Sequence, residues 1–300
     1  MSETGGTPRG RVVDAPLASP APRDGLLEVF RRRYLLRLLI RREISARYQG
    51  SLLGLLWSYI NPLTTFFIYW FVIGKIMGLH TDVPNFGIHL FCGLIVVHFF
   101  TETFNAGTRS IVANQAVVKK MSMPREMFPV ASMLVSLYHV VPQLVILVVA
   151  CLLYGWVPDV TGVVALAVAM LVIMLIGTAA ALLFSAFNVY LRDFGKIVGV
   201  LTNLVRFSVP MIYPFSMVDQ RFGDFADYYL LNPLADAVLL VQRAFWVGTV
   251  PSDQRDMAAV QLPEHLIERG LLFILVGVVL LVIAQKVFTR MDHGIPERLQ

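Results

Sequence analysis

Residues 160–187 read VTGVVALAVAMLVIMLIGTAAALLFSAF and contain no Asp, Glu, Lys or Arg. A helix needs about 20 mostly apolar residues to cross the hydrocarbon core of a bilayer, so this stretch is long enough to span a membrane. Comparable stretches, which we predict to be further spans, lie at 51–74, 87–112, 127–154, 197–215 and 270–288. The sequence therefore predicts an all-α membrane protein with six transmembrane helices.

The composition of the whole chain fits a lipid environment. Of its 300 residues, 57% are hydrophobic and 15% are charged, whereas a soluble globular domain carries about 25% charged residues. Cys92 and Cys151 lie in apolar stretches, and no CxxC spacing is present. This pattern predicts two buried free thiols and argues against a disulfide framework or a zinc site.

The positions of Lys and Arg predict the orientation of the chain in the membrane. Ten Arg lie in the first fifty residues, the loops after the second and fourth predicted spans are basic, and Arg290 and Arg298 follow the last span. We assign these segments to the cytoplasmic side and the acidic 216–269 loop to the outside. The sequence thus predicts a multi-pass protein of the cytoplasmic membrane with both termini in the cytoplasm.

Two further segments are helical in character but do not have the composition of a span. Residues 28–47 (EVFRRRYLLRLLIRREISAR) are too charged, and they predict an amphipathic helix in the cytoplasmic interface. Residues 228–248 are apolar but interrupted by Asn232-Pro233, which predicts short re-entrant helices in the outer leaflet between spans five and six. The predicted segments are a disordered cytoplasmic tail (1–27), the interfacial helix (28–47), a transmembrane domain (48–290) and a cytoplasmic C-terminus (291–300).

Charged residues inside the predicted spans are costly unless they are paired or face water. Glu102 and Arg109 lie seven residues apart on one face of the second span, which predicts either a structural ion pair or the lining of a vestibule. Arg206 has no acidic residue within 202–210. It therefore requires a partner elsewhere, a water-filled cavity or an anionic ligand.

Catalytic motifs are missing from the sequence. GxxxxGK[ST], HExxH and GxSxG do not occur, and neither do the Asp-rich motifs of a polyprenyl-phosphate glycosyltransferase. His89, His98 and His139 lie in predicted spans without companions at metal-ligand spacing, so we predict hydrogen-bonded packing roles for them. We expect no enzyme activity, no metal site and no cofactor bound by this chain.

Four local motifs together resemble one family of membrane proteins. They are RREISARYQGSLLGLLWSYINPL (41–63), NQAVVKKMSMPREMFPVA (114–131), NVYLRDFGKI (188–197) and LLNPLADAV (230–238). The set resembles ABC-2 type polysaccharide exporter permeases, the Wzm-type membrane subunits of O-antigen, teichoic acid and galactan exporters. The resemblance covers about residues 28–290 and is nearest to the actinobacterial (mycobacterial-type) exporters of lipid-linked galactan.

The resemblance implies a set of partners for the chain. It implies a homodimer that pairs with two copies of a separate cytoplasmic ABC ATPase of the Wzt type, which binds ATP and Mg. The implied cargo is a polyisoprenyl-diphosphate-linked glycan, a galactan in the actinobacterial branch. Membrane lipid is a further expected partner, and nucleic acid is not expected. An ABC-2 exporter of a small molecule or antibiotic stays open as the alternative function.

Three groups of candidate residues follow from the resemblance. A guanidinium matches a diphosphate with paired hydrogen bonds, although basic residues beside a membrane also attract anionic lipid without any ligand. The candidates for the diphosphate headgroup are Arg33, Arg37, Arg41, Arg42, Arg47 and Arg206.

Aromatic rings can stack on sugar faces, although they also serve core packing and interfacial belts. The candidates for a glycan channel are Trp57, Tyr59, Phe66, Tyr69, Trp70, Phe207 and Tyr213.

Two loops are predicted to couple the chain to the ATPase. They follow the second and fourth predicted spans and are basic, which places them in the cytoplasm, and the alternative is that they are simply solvated. The candidates for coupling are Val117, Val118, Lys119, Lys120, Met121, Met123, Arg192 and Asp193.

Overall fold

The computed structural model describes residues 25–121, 123–251, 258, 262–292 and 294–298, and the regular structure in these ranges is helical. In chain order the helices are α1 (Leu26–Arg31), α2 (Arg33–Tyr48), α3 (Trp57–Tyr69), α4 (Phe86–Ala113), α5 (Gln115–Lys120), α6 (Met127–Leu153), α7 (Val160–Tyr190), α8 (Phe194–Val205), α9 (Phe215–Phe222), α10 (Ala226–Tyr229), α11 (Pro233–Thr249), α12 (Leu266–Asp292) and α13 (Ile295–Arg298). Four of them, α4, α6, α7 and α12, are long and apolar enough to cross a membrane. The predicted all-α membrane architecture is confirmed for these four spans.

The core of the bundle is built around α7, which packs along both α4 and α12. A small residue lets two of these backbones approach closely, because Gly107 of α4 lies directly against Ala181 of α7. Cys92 and Cys151 are buried in the same core as free thiols, as predicted. Most of α4 is buried, so its polar side chains reach either neighbouring helices or an internal cavity.

The first predicted span, 51–74, forms a helix that begins later than expected. Gly50 and Gly54 have φ angles of 76° and 48°, which are left-handed conformations that a right-handed α-helix excludes. The helix α3 therefore begins only at Trp57, and a π-helical segment, Trp70–Ile76, continues it without a break. No residue of α3 is buried within this chain, so the helix lies at the edge of the bundle.

The fifth predicted span, 197–215, is not one helix. The helix α8 ends at Val205 after 12 residues, and at 1.5 Å per residue it covers about 18 Å of the roughly 30 Å bilayer core. Pro210 and Pro214 follow it, and proline lacks the N–H that a continuing helix requires. The prediction of a helix across 197–215 is therefore wrong in its second half.

The irregular segment after α8 is stabilised by amide side chains from α11 and the residue before it. Asn232 Nδ2 donates to the Ser208 carbonyl at 2.9 Å, and Gln242 Nε2 donates to the Pro210 carbonyl at 2.9 Å. Non-helical backbone in a membrane domain is tolerated where its polar groups are satisfied by the protein or by water. These two amides therefore explain how the chain can leave the helical conformation here.

The segment predicted as short re-entrant helices, 228–248, is mostly occupied by one helix of 17 residues, α11, which ends at Thr249. Asn232 caps it, since the side-chain oxygen accepts an amide of the first turn at 3.0 Å, and Pro233 occupies the first position, where a missing N–H costs nothing. The fully buried Trp246 donates to the Pro84 carbonyl at 2.6 Å. Within 228–248 the expectation of several short helices is corrected to the end of α10 and this packed helix. The short helices α9 and α10 do lie between the fifth and sixth predicted spans, and the re-entrant placement stays a prediction.

The charged N-terminal segment forms two helices rather than one, because the backbone leaves the helical conformation at Arg32. The second of them, α2, packs against α6 and buries Leu36 and Leu39. Three arginines on α2, which we call the arginine row, remain exposed: Arg33, Arg37 and Arg41.

The boundaries of the terminal segments differ slightly from the predicted ones. The helix α1 begins at Leu26, inside the predicted tail 1–27, of which residues 1–24 lie outside the described residues. The helix α12 runs to Asp292 and so extends into the predicted C-terminal segment 291–300. The helix α12 thus continues past Arg290, the charged residue before the predicted boundary at 290/291.

Candidate functional site

A polar cleft of about 440 Å³ opens between α3, α4 and α8. The charged side chains in its wall are Glu102 and Arg206, and Tyr69 is the aromatic residue among the described residues that line it. The rest of the polar lining consists of Asn61, Thr65, His98, Thr101, Asn105, Thr202 and Asn203. Ionisable side chains are rare inside a membrane domain and commonly line substrate pathways. This cleft is therefore the candidate site.

A second cavity, of about 310 Å³, shares a wall with the polar cleft. His98 and Glu102 line both cavities. The second cavity extends to Arg47 and Tyr48 at the end of α2 and to Trp57 at the start of α3. Together the two cavities follow one path from the end of α2 to the middle of α4.

A polar network fixes the wall between these cavities. Arg47 forms an ion pair with Glu102 and lies 2.8 Å from His139 Nδ1. An arginine only donates hydrogen bonds, so Nδ1 accepts, and the neutral ring carries its proton on Nε2, 2.8 Å from the Tyr48 hydroxyl. Tyr48 also contacts Ser58 Oγ. The network joins α2, α3, α4 and α6 at one point.

Of the two interpretations given for Glu102 and Arg109, the ion pair is wrong. Seven residues place the two side chains on one face of a helix but about 10 Å apart along its axis. Arg47 pairs with Glu102 instead, and Arg109 Nη2 lies 3.4 Å from the Gly195 carbonyl. Glu102 therefore belongs to the cavity wall, and Arg109 belongs to the contact between α4 and the start of α8.

The histidines of the spans occupy two kinds of environment. His98 and His139 are hydrogen-bonded, as predicted, and His98 Nδ1 lies 3.0 Å from the Gln143 amide. His89 is buried against the Trp246 ring, with ring centroids 5.0 Å apart, and its Nδ1 has no hydrogen-bond partner among the described residues. No group of three or more His, Cys, Asp or Glu in the described part of the chain could hold a metal ion.

Comparison with known proteins identifies the family. The family model for the ABC-2 type transporter matches residues 34–246, a range that includes nearly all of α2, both cavities and most of α11. This chain belongs to the ABC-2 type transporter family. It is 27% identical over 216 residues to the O-antigen export system permease protein RfbA of Klebsiella pneumoniae, a match that covers 72% of this chain and 82% of that protein. It is 29% identical over 231 residues to the protein of the same name from Myxococcus xanthus, with 77% and 87% covered.

The aromatic residues predicted to line a glycan channel do not share one lining within this ABC-2 chain. Tyr69 lines the polar cleft and Trp57 the second cavity, whereas Phe66 and Trp70 line a separate apolar cavity. Neighbouring residues of an α-helix point about 100° apart, so Tyr69 and Trp70 face different cavities. The other candidates are dispersed: a half-buried Tyr59, an exposed Phe207, and Tyr213 in a cavity beside α9.

The arginines predicted to hold a diphosphate occupy three kinds of position in the ABC-2 domain. Arg206 is exposed and lines the polar cleft. Arg47 is held by Glu102, and Arg42 donates to Asn114 Oδ1 at 3.1 Å. The arginine row is exposed on α2 and is not part of either cavity wall. Arg206 is thus the cation that an anionic ligand in the polar cleft would meet.

Two residues predicted to dock in the ATPase are buried in this chain instead. Val118 and Met123 belong to the core cluster around Phe128, and Val117 packs against that cluster. The inner face of α5 is therefore used to complete the core between α4 and α6. The candidates that remain exposed are Lys119, Lys120, Met121, Arg192 and Asp193.

The start of α5 is fastened to α2 through one amide. Asn114 accepts a hydrogen bond from Arg42 at 3.1 Å and donates to Glu43 at 3.2 Å. Burial raises the pKa of the Glu43 carboxyl above its ordinary value, although the bond from Asn114 and the charge of Arg42 act in the opposite direction. A displacement of α5 is thereby linked to the interfacial segment.

The second predicted coupling loop, after α7, is fastened to the same end of α4. Asn188 Nδ2 donates to the Thr108 carbonyl at 3.1 Å, and its Oδ1 accepts the Gly195 amide at 3.0 Å. Sequence reasoning missed the roles of both Asn114 and Asn188. The available signal was that each asparagine opens one of the quoted motifs, NQAVV and NVYLRDFG.

Proposed function

We propose that this chain is the membrane subunit of an ATP-driven exporter of a polyisoprenyl-diphosphate-linked glycan. The similarity to two O-antigen export permeases and the exporter motifs at 41–63 and 230–238 support this assignment. The polar cleft is the observation that carries it. Helices that otherwise present apolar side chains to lipid gain a wall of amides and hydroxyls along one cavity, as a hydroxyl-rich cargo requires.

The lining of the polar cleft suits a carbohydrate better than an apolar drug. Asn61 and Asn203 are exposed, and an amide side chain both donates and accepts hydrogen bonds, as a sugar hydroxyl does. An apolar molecule would leave such groups unpaired, at a cost of about 1–3 kcal/mol for each group that it buries. The resemblance to the actinobacterial exporters supports a galactan as the glycan.

The proposal includes an assembly and a topology. Two copies of the chain pair with two copies of a cytoplasmic ABC ATPase, which binds ATP and Mg. Residues 57–76, and α8 with the segment that follows it, add two spans to the four long helices. Both termini lie in the cytoplasm and α11 re-enters from the outer side, in agreement with the distribution of Lys and Arg.

Coupling runs through α4 in this proposal. The exposed residues of α5 and of the loop after α7 contact the ATPase. The start of α5 is hydrogen-bonded to α2 through Asn114, and the end of α7 is hydrogen-bonded to α4 through Asn188. The same helix carries Glu102 in the wall of the two cavities. ATP shifts the cavity between states because the ATPase binds those states with different affinity.

Depletion of the chain in its native cell tests the proposal. A lipid-linked glycan should accumulate at the cytoplasmic face while the surface polymer disappears, and galactose in its hydrolysate would support the galactan. Loss of resistance to a drug with an intact surface glycan would instead identify a small-molecule exporter.

Arg206→Lys should reduce glycan-stimulated ATPase activity about tenfold, because it keeps the charge but loses one charge-assisted hydrogen bond, which contributes about 1.5–3 kcal/mol. The assembled complex should form in normal amount. Arg290→Lys, in an exposed position on the last turns of α12, is the matched control. Parent-like stimulation in Arg206→Lys would exclude this residue from headgroup binding. The same exchange at Arg41 decides whether the arginine row contacts the diphosphate or only attracts anionic lipid.

Met121→Asp should abolish most copurification of the ATPase while the amount of folded permease stays unchanged. Met121 is 48% exposed, and burying such an apolar side chain in an interface contributes about 1.5–3 kcal/mol. Val118→Asp is the contrasting variant, since a charge at a buried position should lower the amount of folded protein itself. Normal copurification of Met121→Asp would move the docking surface away from α5.

A further inference from the structure

A third cavity, of about 460 Å³, lies between α3 with its π-helical continuation, the start of α4 and the end of α6. Most of its wall is apolar: Leu63, Phe66, Phe91, Ile146, Leu147 and Ala150. Lys75, His80 and Tyr154 lie in the remaining wall. We call this cavity the lysine cleft. It shares no lining residue with the polar cleft, the second cavity or the coupling segments.

The polar residues of the lysine cleft lie at one end of the bundle. Lys75 lies near the end of the π-helical segment, Asn85 precedes α4, and Tyr154 follows α6. The opposite ends of α4 and α6 are the ones that α5 connects. From Ile146 to Tyr154 the helix rises about 12 Å. The cleft therefore has an elongated apolar wall and a polar end remote from the coupling segments, which is the shape of one lipid chain with its headgroup.

The charge in the wall of the lysine cleft is positive. The five lysines of the chain are at positions 75, 119, 120, 196 and 286, and the first of them is the one at this end of the bundle. Lys75 is exposed, with its Nζ 5.8 Å from the centroid of the Trp70 ring. The described residues that line the cleft include no Asp or Glu. The polar end thus complements an anionic headgroup.

The π-helical segment accounts for the position of this lysine. Residues five apart are about 140° apart around an α-helix, whereas a π-helix forms its hydrogen bonds between residues five apart and brings them to one side. Trp70 and Lys75 are five apart within the segment Trp70–Ile76 and both line the cleft. Such segments are rare and frequently occur at functional sites.

A glycine keeps the cleft open next to the same tryptophan. A Cβ atom added to Gly87 would lie 3.5 Å from Trp70 Cδ1 and 3.7 Å from Phe66 Cζ. Any side chain longer than that of alanine would therefore extend into the space between α4 and α3. A larger residue at position 87 offers a way to fill the cleft without changing its charge.

We propose that the lysine cleft binds one anionic phospholipid, with its phosphate at Lys75 and an acyl chain along Phe66 and Phe91. His80 lies in the same wall, and its ring is oriented by the contact of Nδ1 with the Gly74 carbonyl at 2.7 Å. The proposal rests on the membrane fold and the cleft, and it holds whichever cargo the polar cleft transports.

Quenching of Trp70 fluorescence by brominated lipids tests the proposal in vesicles that contain the full-length chain. The signal of Trp70 is obtained by subtracting that of Trp70→Phe. One lysine beside an anionic lipid corresponds to about a fivefold preference, so brominated phosphatidylglycerol should half-quench Trp70 at about one fifth of the mole fraction that brominated phosphatidylcholine requires. Lys75→Gln should remove this preference. Lys286→Gln, at an exposed lysine on α12, should retain it, and Gly87→Leu should weaken quenching by both lipids.

Equal quenching by the two lipids, or a preference that survives Lys75→Gln, would overturn the proposal and leave only annular lipid at this surface. Displacement of the brominated phosphatidylglycerol by a smaller amount of polyprenyl phosphate, with the same dependence on Lys75, would also overturn it. That result would assign the cleft to the carrier lipid.

Discussion

Arg269→Met should destabilise the protein by about 3–5 kcal/mol, because it leaves the carboxylate of Asp236 buried without a counter-charge. Asp236 is fully buried in the first turn of α11, and Arg269 Nε, near the start of α12, lies 3.7 Å from its Oδ1. Among the described residues, neither carboxylate oxygen of Asp236 has a hydrogen-bond partner. The ion pair is therefore the compensation for this buried charge that the structure shows.

The double variant Asp236→Leu with Arg269→Met separates the cost of an unpaired charge from a loss of packing. A buried ion pair exchanged for apolar residues of similar volume is often neutral or stabilising, so the double variant should regain most of the stability of the parent. The measurement is the thermal unfolding midpoint of the solubilised full-length chain. Equal midpoints for the single and the double variant would show that the charge of Asp236 carries no such cost.

The long spans could be predicted from the sequence because each one is a local property. The stretch 160–187 and the last helix, α12, are apolar over more than the length of a bilayer, and nothing elsewhere in the chain is needed to recognise them. The helical character of the N-terminal segment could be predicted in the same way from the i, i+4 spacing of Arg33, Arg37 and Arg41. The start of α3 could not, because it depends on the φ angles of Gly50 and Gly54.

The parts that could not be predicted depend on contacts between distant residues. Gln242 lies 32 residues from the Pro210 carbonyl to which it donates, so spacing alone could not show where the fifth predicted span would end. Helical spacing offers Arg109 as a partner of Glu102, or a vestibule that both line, whereas the observed partner is Arg47, which is 55 residues away in sequence. The burial of Val118 likewise follows from its place in the core cluster around Phe128 and not from the composition of α5.

The ion pair of Arg47 with Glu102 gives a second large effect. In Glu102→Arg, the carboxylate is removed and two arginines lie beside His139 in the wall of the second cavity. An unpaired charge inside a membrane domain costs up to about 2.5–3.5 kcal/mol, so the equilibrium constant for folding should fall by up to roughly 100-fold. The measurement is the amount of monodisperse permease extracted from the membrane. Arg109→Met, on the same face of α4 but outside the cavity wall, is the control, and it should lose much less protein.

The reciprocal exchange, Arg47→Glu with Glu102→Arg, decides what the network does. It restores the opposite charges, so folded protein should return to near the level of the parent. The side chain of Arg47 is 41% exposed and that of Glu102 is 24% exposed. A substrate headgroup that enters the second cavity from α2 can therefore reach the arginine. If Arg47 only anchors α2, the exchanged protein should export glycan like the parent, because attraction between the two side chains does not depend on which helix carries which charge. If the cation must stand at position 47 to meet an anionic headgroup, the exchanged protein should assemble with its ATPase but lose export, because a carboxylate then lies at the entrance. Failure of the exchange to restore folding would instead show that His139 and Tyr48 require a donor at position 47.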